Sequence, residues 1–162
     1  MGKYHPFLKM FEYTKVFYKR IQKGRNIGVM PGEAYIVDVY AFFMFCYHIK
    51  DWIKNDCGFK KEIRNNVEYF INKNECMRIC ADLCNGLKHM QDCKKRSGKD
   101  LRIGHKTSFE FSLENSEKPL KCLYFAIDLG EGREKDVLEL ASECINAWEE
   151  FFKKYNIATL SP

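Results

Sequence analysis

Residues 34–47, AYIVDVYAFFMFCY, form the most apolar stretch of this 162-residue chain and decide its fold. The stretch is interrupted by Asp38 and is shorter than the roughly 20 residues that a membrane-spanning helix needs, so we expect no membrane segment. Together with its flanks, it predicts a helix over residues 33–54 that is apolar nearly all round. Such a helix is typical of the centre of a helical bundle.

The length and composition indicate one domain covering residues 1–162. Hydrophobic residues make up 46% of the chain and aromatic residues 15%, which is enough to fill a sizeable core. The amino terminus contains no apolar stretch of signal-peptide length, and Pro6 stands where a myristoylation signal needs serine or threonine. We therefore expect a cytoplasmic protein.

Four further helices are predicted because apolar residues recur at spacings of three and four. They cover about residues 7–22, 60–72, 75–90 and 135–154. The first of them is expected to end at Lys23-Gly24, where a loop rich in glycine begins.

Between the last two helices the apolar pattern changes to alternation. The stretches SFEFSLE (108–114) and LKCLYFAIDL (120–129) predict two strands joined by a turn, and a short strand over 101–103 is a candidate to precede them. The expected fold is mainly α: a helical bundle of about five helices with a small antiparallel β-hairpin, at about 107–129, inserted before the last helix.

The eight cysteines do not follow the spacing of a zinc knuckle, and a reducing compartment disfavours disulfides. Cys76, Cys80 and Cys84 recur every fourth residue, on one helical stripe with Leu83 and Leu87. Reduced cysteine behaves as a small hydrophobic residue, so we interpret these thiols as core packing, with metal binding or redox chemistry as the alternatives.

A basic segment follows the fourth predicted helix, although the net charge of the whole chain is a mild +5. Its candidate nucleic-acid-binding residues are Lys88, Lys94, Lys95, Arg96, Lys99 and Arg102. An exposed cationic loop is suited to contact phosphates. The simpler interpretation is a solvated loop whose lysines keep the chain soluble.

The polar face of the fourth predicted helix carries Arg78, Asp82, Asn85 and His89, which lie within about 60° of one another. Any surface helix has such a stripe, so simple exposure to water is the first interpretation. These residues are candidates for a functional site only if another polar group faces them.

The second predicted helix offers such a group in the sequence HIKDW, where His48 and Asp51 share one face. A carboxylate on a largely buried helix costs several kcal/mol unless it has a partner or reaches water. Asp51 therefore either reaches water near the end of the helix or faces the stripe of Asp82, Asn85 and His89 across a cleft.

Such a cleft would permit two kinds of chemistry. His48 and His89 would serve as general acid and base, since imidazole titrates near neutrality. Alternatively, a metal-dependent hydrolase would use His48, Asp51, Asp82 and His89 as metal ligands. The sequence has no glycine-rich phosphate loop and no Gly-x-Ser-x-Gly elbow, so no cofactor is expected and serine-hydrolase chemistry is disfavoured.

The stretch CNGLKH, residues 84–89, resembles the signature of the HEPN superfamily, helical-bundle proteins of prokaryotic defence and toxin systems. Active members are metal-independent ribonucleases that usually dimerise. The resemblance implies a homodimer that binds RNA or a protein partner, with His89 and Asn85 as catalytic residues and His48 and Asp51 in support. The arginine of the signature is replaced here by Cys84, or by Asp82 at the longer spacing, and neither supplies a fixed cation.

The combination of HIKDW and DLCNGLKH, within residues 34–155, is also similar to a set of small uncharacterised bacterial proteins, which implies no activity. The alternative function is a non-enzymatic helical interaction module whose polar stripe is only surface.

Overall fold

The computed structural model describes residues 6–26, 33–89, 96–98, 101–111 and 120–157. In residues 25–26, 33, 87–89, 102–111 and 120–124 the description covers the backbone alone.

Five α-helices and three β-strands make up the described part of the chain. The helices are α1 (Pro6–Asn26), α2 (Glu33–Asn55), α3 (Lys61–Lys73), α4 (Glu75–His89) and α5 (Val137–Lys154). The strands are β1 (Arg102–Phe111), β2 (Leu120–Asp128) and β3 (Glu134–Asp136). The predicted fold class, a mainly α bundle with an antiparallel hairpin before the last helix, is confirmed.

Helix α1 is longer than predicted because Gly24 does not end it. A Cβ atom added at Gly24 would lie 2.6 Å from the ring of Tyr35, which is buried on α2. The glycine therefore serves the close approach of α1 and α2, and the helix continues to Asn26.

The sheet has the order β1-β2-β3, with both pairings antiparallel. The predicted short strand at 101–103 is the beginning of β1, which continues to Phe111. Strand β3 was not predicted, and it delays the start of α5 to Val137 because residues 134–136 pair with β2 instead. Asp136 then caps α5, since its Oδ1 atom accepts hydrogen bonds from the backbone N–H groups of Leu138 (2.6 Å) and Glu139 (3.0 Å).

Helix α2 is the central helix of the bundle, as its composition predicts, because it packs against α1, α3, α4 and α5. Its residues Val39, Phe42, Phe43, Cys46 and Ile49 are fully buried. Within the described ranges, no helix combines the length and the apolarity that crossing a bilayer requires.

Candidate functional site

His48 and Asp51 form a hydrogen-bonded pair on one face of α2. The Nδ1 atom of His48 lies 2.8 Å from Oδ2 of Asp51, as the three-residue spacing allows. The side chains are 23% and 39% exposed, so the pair lies at the boundary between core and solvent. A carboxylate in this position fixes the orientation and tautomer of the imidazole, which is how a general base is prepared.

The other ring nitrogen of His48 faces helix α4. Its Nε2 atom lies 3.7 Å from Sγ of Cys84, so that Cys84, His48 and Asp51 follow one another as thiol, imidazole and carboxylate. This order is the one in which a base activates a thiol nucleophile. Cys84 is fully buried, however, whereas the imidazole is partly exposed, so the imidazole rather than the thiol is placed to reach a substrate.

From its spacing, Cys84 was predicted to be core packing, with metal binding or redox chemistry as the alternatives. The stripe with Leu83 correctly placed this thiol on the buried side of α4. The missed information is tertiary: the buried side of α4 meets the face of α2 that carries His48. Sequence spacing within one helix carries no signal for such a contact.

Asp51 is held ionised by its neighbours. Lys50 donates a hydrogen bond from Nζ to Oδ1 of Asp51 at 2.7 Å. Partial burial opposes ionisation of Asp51, but the hydrogen bonds from Lys50 and His48 outweigh it and lower the pKa of the carboxyl. The same contact acts on Lys50: burial lowers the pKa of its ammonium, and the hydrogen bond to Asp51 more than restores it.

Glu68 on α3 joins this pair to a wider network. Lys50, Lys54 and Arg96 each donate to its carboxylate, at 3.3, 3.0 and 3.0 Å. Burial alone would raise the pKa of Glu68, but these cations lower it from 4.5 to about 2. We call the residues of this network the charged cluster: His48, Lys50, Asp51, Lys54, Glu68, Asp82 and Arg96.

Asp82 is buried rather than directed to solvent. Its Oδ1 atom accepts a hydrogen bond from the backbone N–H of Arg96, and its Oδ2 atom accepts one from that of Ser97, both at 2.7 Å. The Ser97 hydroxyl donates to Oδ2 as well. The solvent-facing stripe predicted for α4 is therefore divided, since Asp82 anchors the segment 96–98 against the helix.

The guanidinium of Arg96 makes contacts within the protein. Besides its bond to Glu68, it donates to Oδ1 of Asn72 at 3.1 Å and lies over the ring of Tyr47, 5.7 Å from the centroid. The predicted RNA contacts at Lys94, Lys95 and Lys99 lie outside the described residues, as do the side chains of Lys88 and Arg102.

Asn85 approaches the α2 face through Tyr47. The Asn85 side chain lies near the Tyr47 hydroxyl, whose pKa is raised chiefly by burial. The Tyr47 and His48 rings are neighbours, 5.8 Å apart. The structure thus brings Asn85 to the side of α2 that carries His48, while the backbone of His89 ends α4 and its side chain lies outside the described residues.

A cavity of about 450 Å³ borders the carboxylate of Asp51. It is lined by Pro6, Asp51, Trp52, Asn55, Asp56 and Cys57. Its volume falls within the usual range for small-ligand sites. Trp52 is 45% exposed, although an apolar ring of this size is usually covered. The sequence placed Trp52 in the HIKDW motif without assigning it a role.

The described residues of the predicted metal site, His48, Asp51 and Asp82, do not converge on one point. Among the described residues, the three-ligand grouping that lies within 4.8 Å consists of Cys46, Cys80 and Cys144, without His48, Asp51 or Asp82. The carboxylate of Asp82 is instead engaged with segment 96–98.

Comparison of the chain with family models, with curated proteins and with solved structures yields no match.

Proposed function

We propose that the protein is a HEPN-like RNA-binding protein that cleaves RNA by general acid–base catalysis at His48. The observation that carries the proposal is the orientation of the His48 ring by Asp51, at a partly exposed position. Asp51, which orients His48, also lines the neighbouring cavity; His48 itself does not, so this cavity would hold a base that flanks the cleaved bond.

The chemistry requires no metal ion. With its proton on Nδ1 and donated to Asp51, His48 presents the lone pair of Nε2. For catalysis that nitrogen would have to exchange its 3.7 Å contact with Sγ of Cys84 for the substrate, and take the proton of a ribose 2′-hydroxyl as the 2′-oxygen attacks the adjacent phosphorus. The bond from phosphorus to the 5′-oxygen breaks, a general acid protonates the departing oxygen, and a 2′,3′-cyclic phosphate remains. The HEPN resemblance implies that His89 and Asn85 are catalytic residues, and we assign the role of the acid to His89.

RNA recognition would combine stacking and charge. An exposed indole binds single-stranded bases by stacking, because every base offers a π face. Trp52 at the cavity rim is suited to this role. The charge distribution favours Lys88, Lys94, Lys95, Lys99 and Arg102 for the phosphate contacts, whereas the guanidinium of Arg96 is already bound to Glu68.

The first experiment measures cleavage of single-stranded RNA at low salt and in the presence of a chelator, with mass analysis of the product ends. The wild-type chain is expected to produce 2′,3′-cyclic phosphates. His48→Ala should lower the rate by about 10²–10⁴-fold, which is the usual contribution of a positioned general base. Asp51→Asn should lower it less, since the imidazole remains but loses its charged partner.

The matched control is His105→Ala, because His105 lies on β1, away from α2 and α4 in the chain, and pairs with Ala126. Circular dichroism establishes that each variant is folded. Equal cleavage by wild type and His48→Ala would identify a contaminating nuclease. RNA binding without cleavage would overturn the catalytic half of the proposal, and absence of both at low salt would leave the interaction module as the function.

A further inference from the structure

Three thiols from three different helices meet in the core. Cys46 on α2, Cys80 on α4 and Cys144 on α5 have Sγ atoms that all lie within 4.8 Å of one another. Each of the three residues is fully buried. We call this group the thiol cluster.

Packing alone does not require this arrangement. A cysteine that fills apolar space can direct its thiol toward any hydrophobic neighbour. Here the three sulfur atoms are directed toward one another, and otherwise meet weak acceptors: Cys80 donates to the carbonyl of Phe43, and Cys144 to that of Cys76, both at 3.5 Å. Convergent soft donors in a closed site are the arrangement that thiophilic cations select.

The distances suit a single ion. Zinc binds sulfur at about 2.3 Å, so the sulfur atoms of a tetrahedral site lie about 3.8 Å apart. Starting from separations below 4.8 Å, the three side chains need to move inward by less than about 1 Å to reach that geometry. A polynuclear iron–sulfur cluster, which occupies the space between its cysteines, needs sulfur atoms farther apart.

A fourth sulfur lies next to the cluster. Cys76 precedes Cys80 by one turn of α4 and is half-buried, and its backbone carbonyl accepts a hydrogen bond from the thiol of Cys144 at 3.5 Å. Its own Sγ atom is not within 4.8 Å of all three sulfur atoms of the thiol cluster, so its side chain would have to turn toward them to complete a four-thiolate site.

We infer that Cys46, Cys80 and Cys144 bind one zinc ion in the core of the bundle, with Cys76 as the fourth ligand. The site is closed, with full burial of three ligands, so zinc would act structurally by joining α2, α4 and α5. The inference does not depend on RNA cleavage.

The experiment uses the full chain, purified without a histidine tag, kept reduced and stripped of metal with a chelator. Titration with zinc against a chromophoric chelator is expected to give one ion per chain and a rise in Tm. Cobalt(II) serves as the spectroscopic probe, because tetrahedral thiolate coordination gives intense visible absorption.

The decisive variants are Cys76→Ala and its matched control Cys57→Ala, an exposed cysteine outside the cluster. Cys76 is only half-buried, so its variant should fold, and loss of a ligand should weaken zinc binding by at least the roughly 10–100-fold that loss of an outer-shell partner causes. Cys57→Ala should bind zinc as the wild type does. Cys144→Ala should abolish the cobalt absorption, and its folding is checked by circular dichroism.

Two results would overturn the inference. One is a wild-type chain that binds no zinc and whose Tm does not respond to it, which would return the thiols to packing. The other is equal zinc affinity in wild type and Cys76→Ala, which would remove the fourth ligand. Both results leave the proposed RNA cleavage untouched, since neither involves His48.

Discussion

Helices α2 and α4 contribute residues to two neighbouring groups, the thiol cluster and the charged cluster. The two groups differ in how far their polar atoms are exposed to solvent. On α2, Cys46 and His48 are two residues apart, and on α4, Cys80 and Cys84 are one turn apart. The thiols are fully buried, whereas His48 and Asp51 keep 23% and 39% of their side-chain surface exposed. A neutral thiol tolerates an apolar core, but a carboxylate needs cations and access to water. One helix pair can therefore carry both clusters only because the second lies at its rim.

The largest expected loss of stability comes from removing Trp148, the aromatic residue that packs beside the thiol cluster. Trp148 is fully buried, contacts Phe70 and Phe152, and donates from its indole nitrogen to the carbonyl of Cys46 at 3.1 Å. Trp148→Ala should lower the free energy of unfolding by about 3–5 kcal/mol, because it leaves a large cavity and deletes the hydrogen bond. Urea unfolding followed by circular dichroism measures the change.

The matched control is Trp52→Ala, on the rim side of α2, where the ring is 45% exposed. Its effect on the free energy of unfolding should stay within about 0.5 kcal/mol, as for other surface substitutions. Similar losses in the two variants would contradict the division into interior and rim.

A smaller effect is expected from Asp82, which like Lys50 is a buried member of the charged cluster. Asp82→Ala leaves the backbone N–H groups of Arg96 and Ser97 without their acceptor, and should cost about 2 kcal/mol of unfolding free energy. Glu12→Ala is the control, because Glu12 is 39% exposed and pairs with Lys15 at the surface of α1, and such a surface pair contributes about 0–1 kcal/mol. Equal losses would show that Asp82 does not anchor segment 96–98.

The smallest expected effect is a pH dependence confined to the charged cluster. The pKa of Glu68 is lowered from 4.5 to about 2 in the folded chain, so the unfolded chain binds more protons between these values. The contribution of Glu68 is fully present above pH 4.5 and is lost as the pH falls toward about 2. Asp51, whose pKa is also lowered, acts in the same direction.

Glu68→Gln should therefore cost about 1 kcal/mol of unfolding free energy near neutral pH, after allowance for solvent screening, and progressively less inside that window. Urea midpoints of wild type and variant at several pH values give the difference. Glu149→Gln, an exposed position on α5, should show no such window. A constant difference between wild type and Glu68→Gln at all pH values would contradict the assignment.

The local apolar pattern was sufficient to predict the five helices. The features that the sequence did not predict depend on contacts between elements that are distant in the chain. The apolar periodicity of α2 and α4 directly predicts two packed helices, and it put His48 and Asp51 on one face. The three residues of β3 are too few to establish alternation, so the pairing of Asp136 with Ala126 had no sequence signal. The prediction that α1 ends at Gly24 was wrong. This glycine accommodates the ring of Tyr35, which lies on another helix, and a contact between helices leaves no local signal in the sequence.

The clusters show the same limit. Cys80 and Cys84 were assigned to the core correctly, since spacing along one helix determines its buried face. That Cys80 meets Cys46 and Cys144, while Cys84 meets His48, depends on how α2, α4 and α5 are rotated against one another. The periodicity of each helix gives no information about a contact between residues as far apart in the chain as Cys46 and Cys144.

Asp136 has a further consequence for how the molecule opens. It is the last residue of β3 and pairs with Ala126, while its side chain holds the first amides of α5, and no loop residue separates the two elements. Detachment of β3 from β2 would therefore withdraw the cap of α5, and fraying of α5 would release the sheet edge. We therefore expect the sheet edge and the first turn of α5 to form one cooperative unit, with the amides of Leu138 and Glu139 exchanging hydrogen together with those of the β2–β3 pairing.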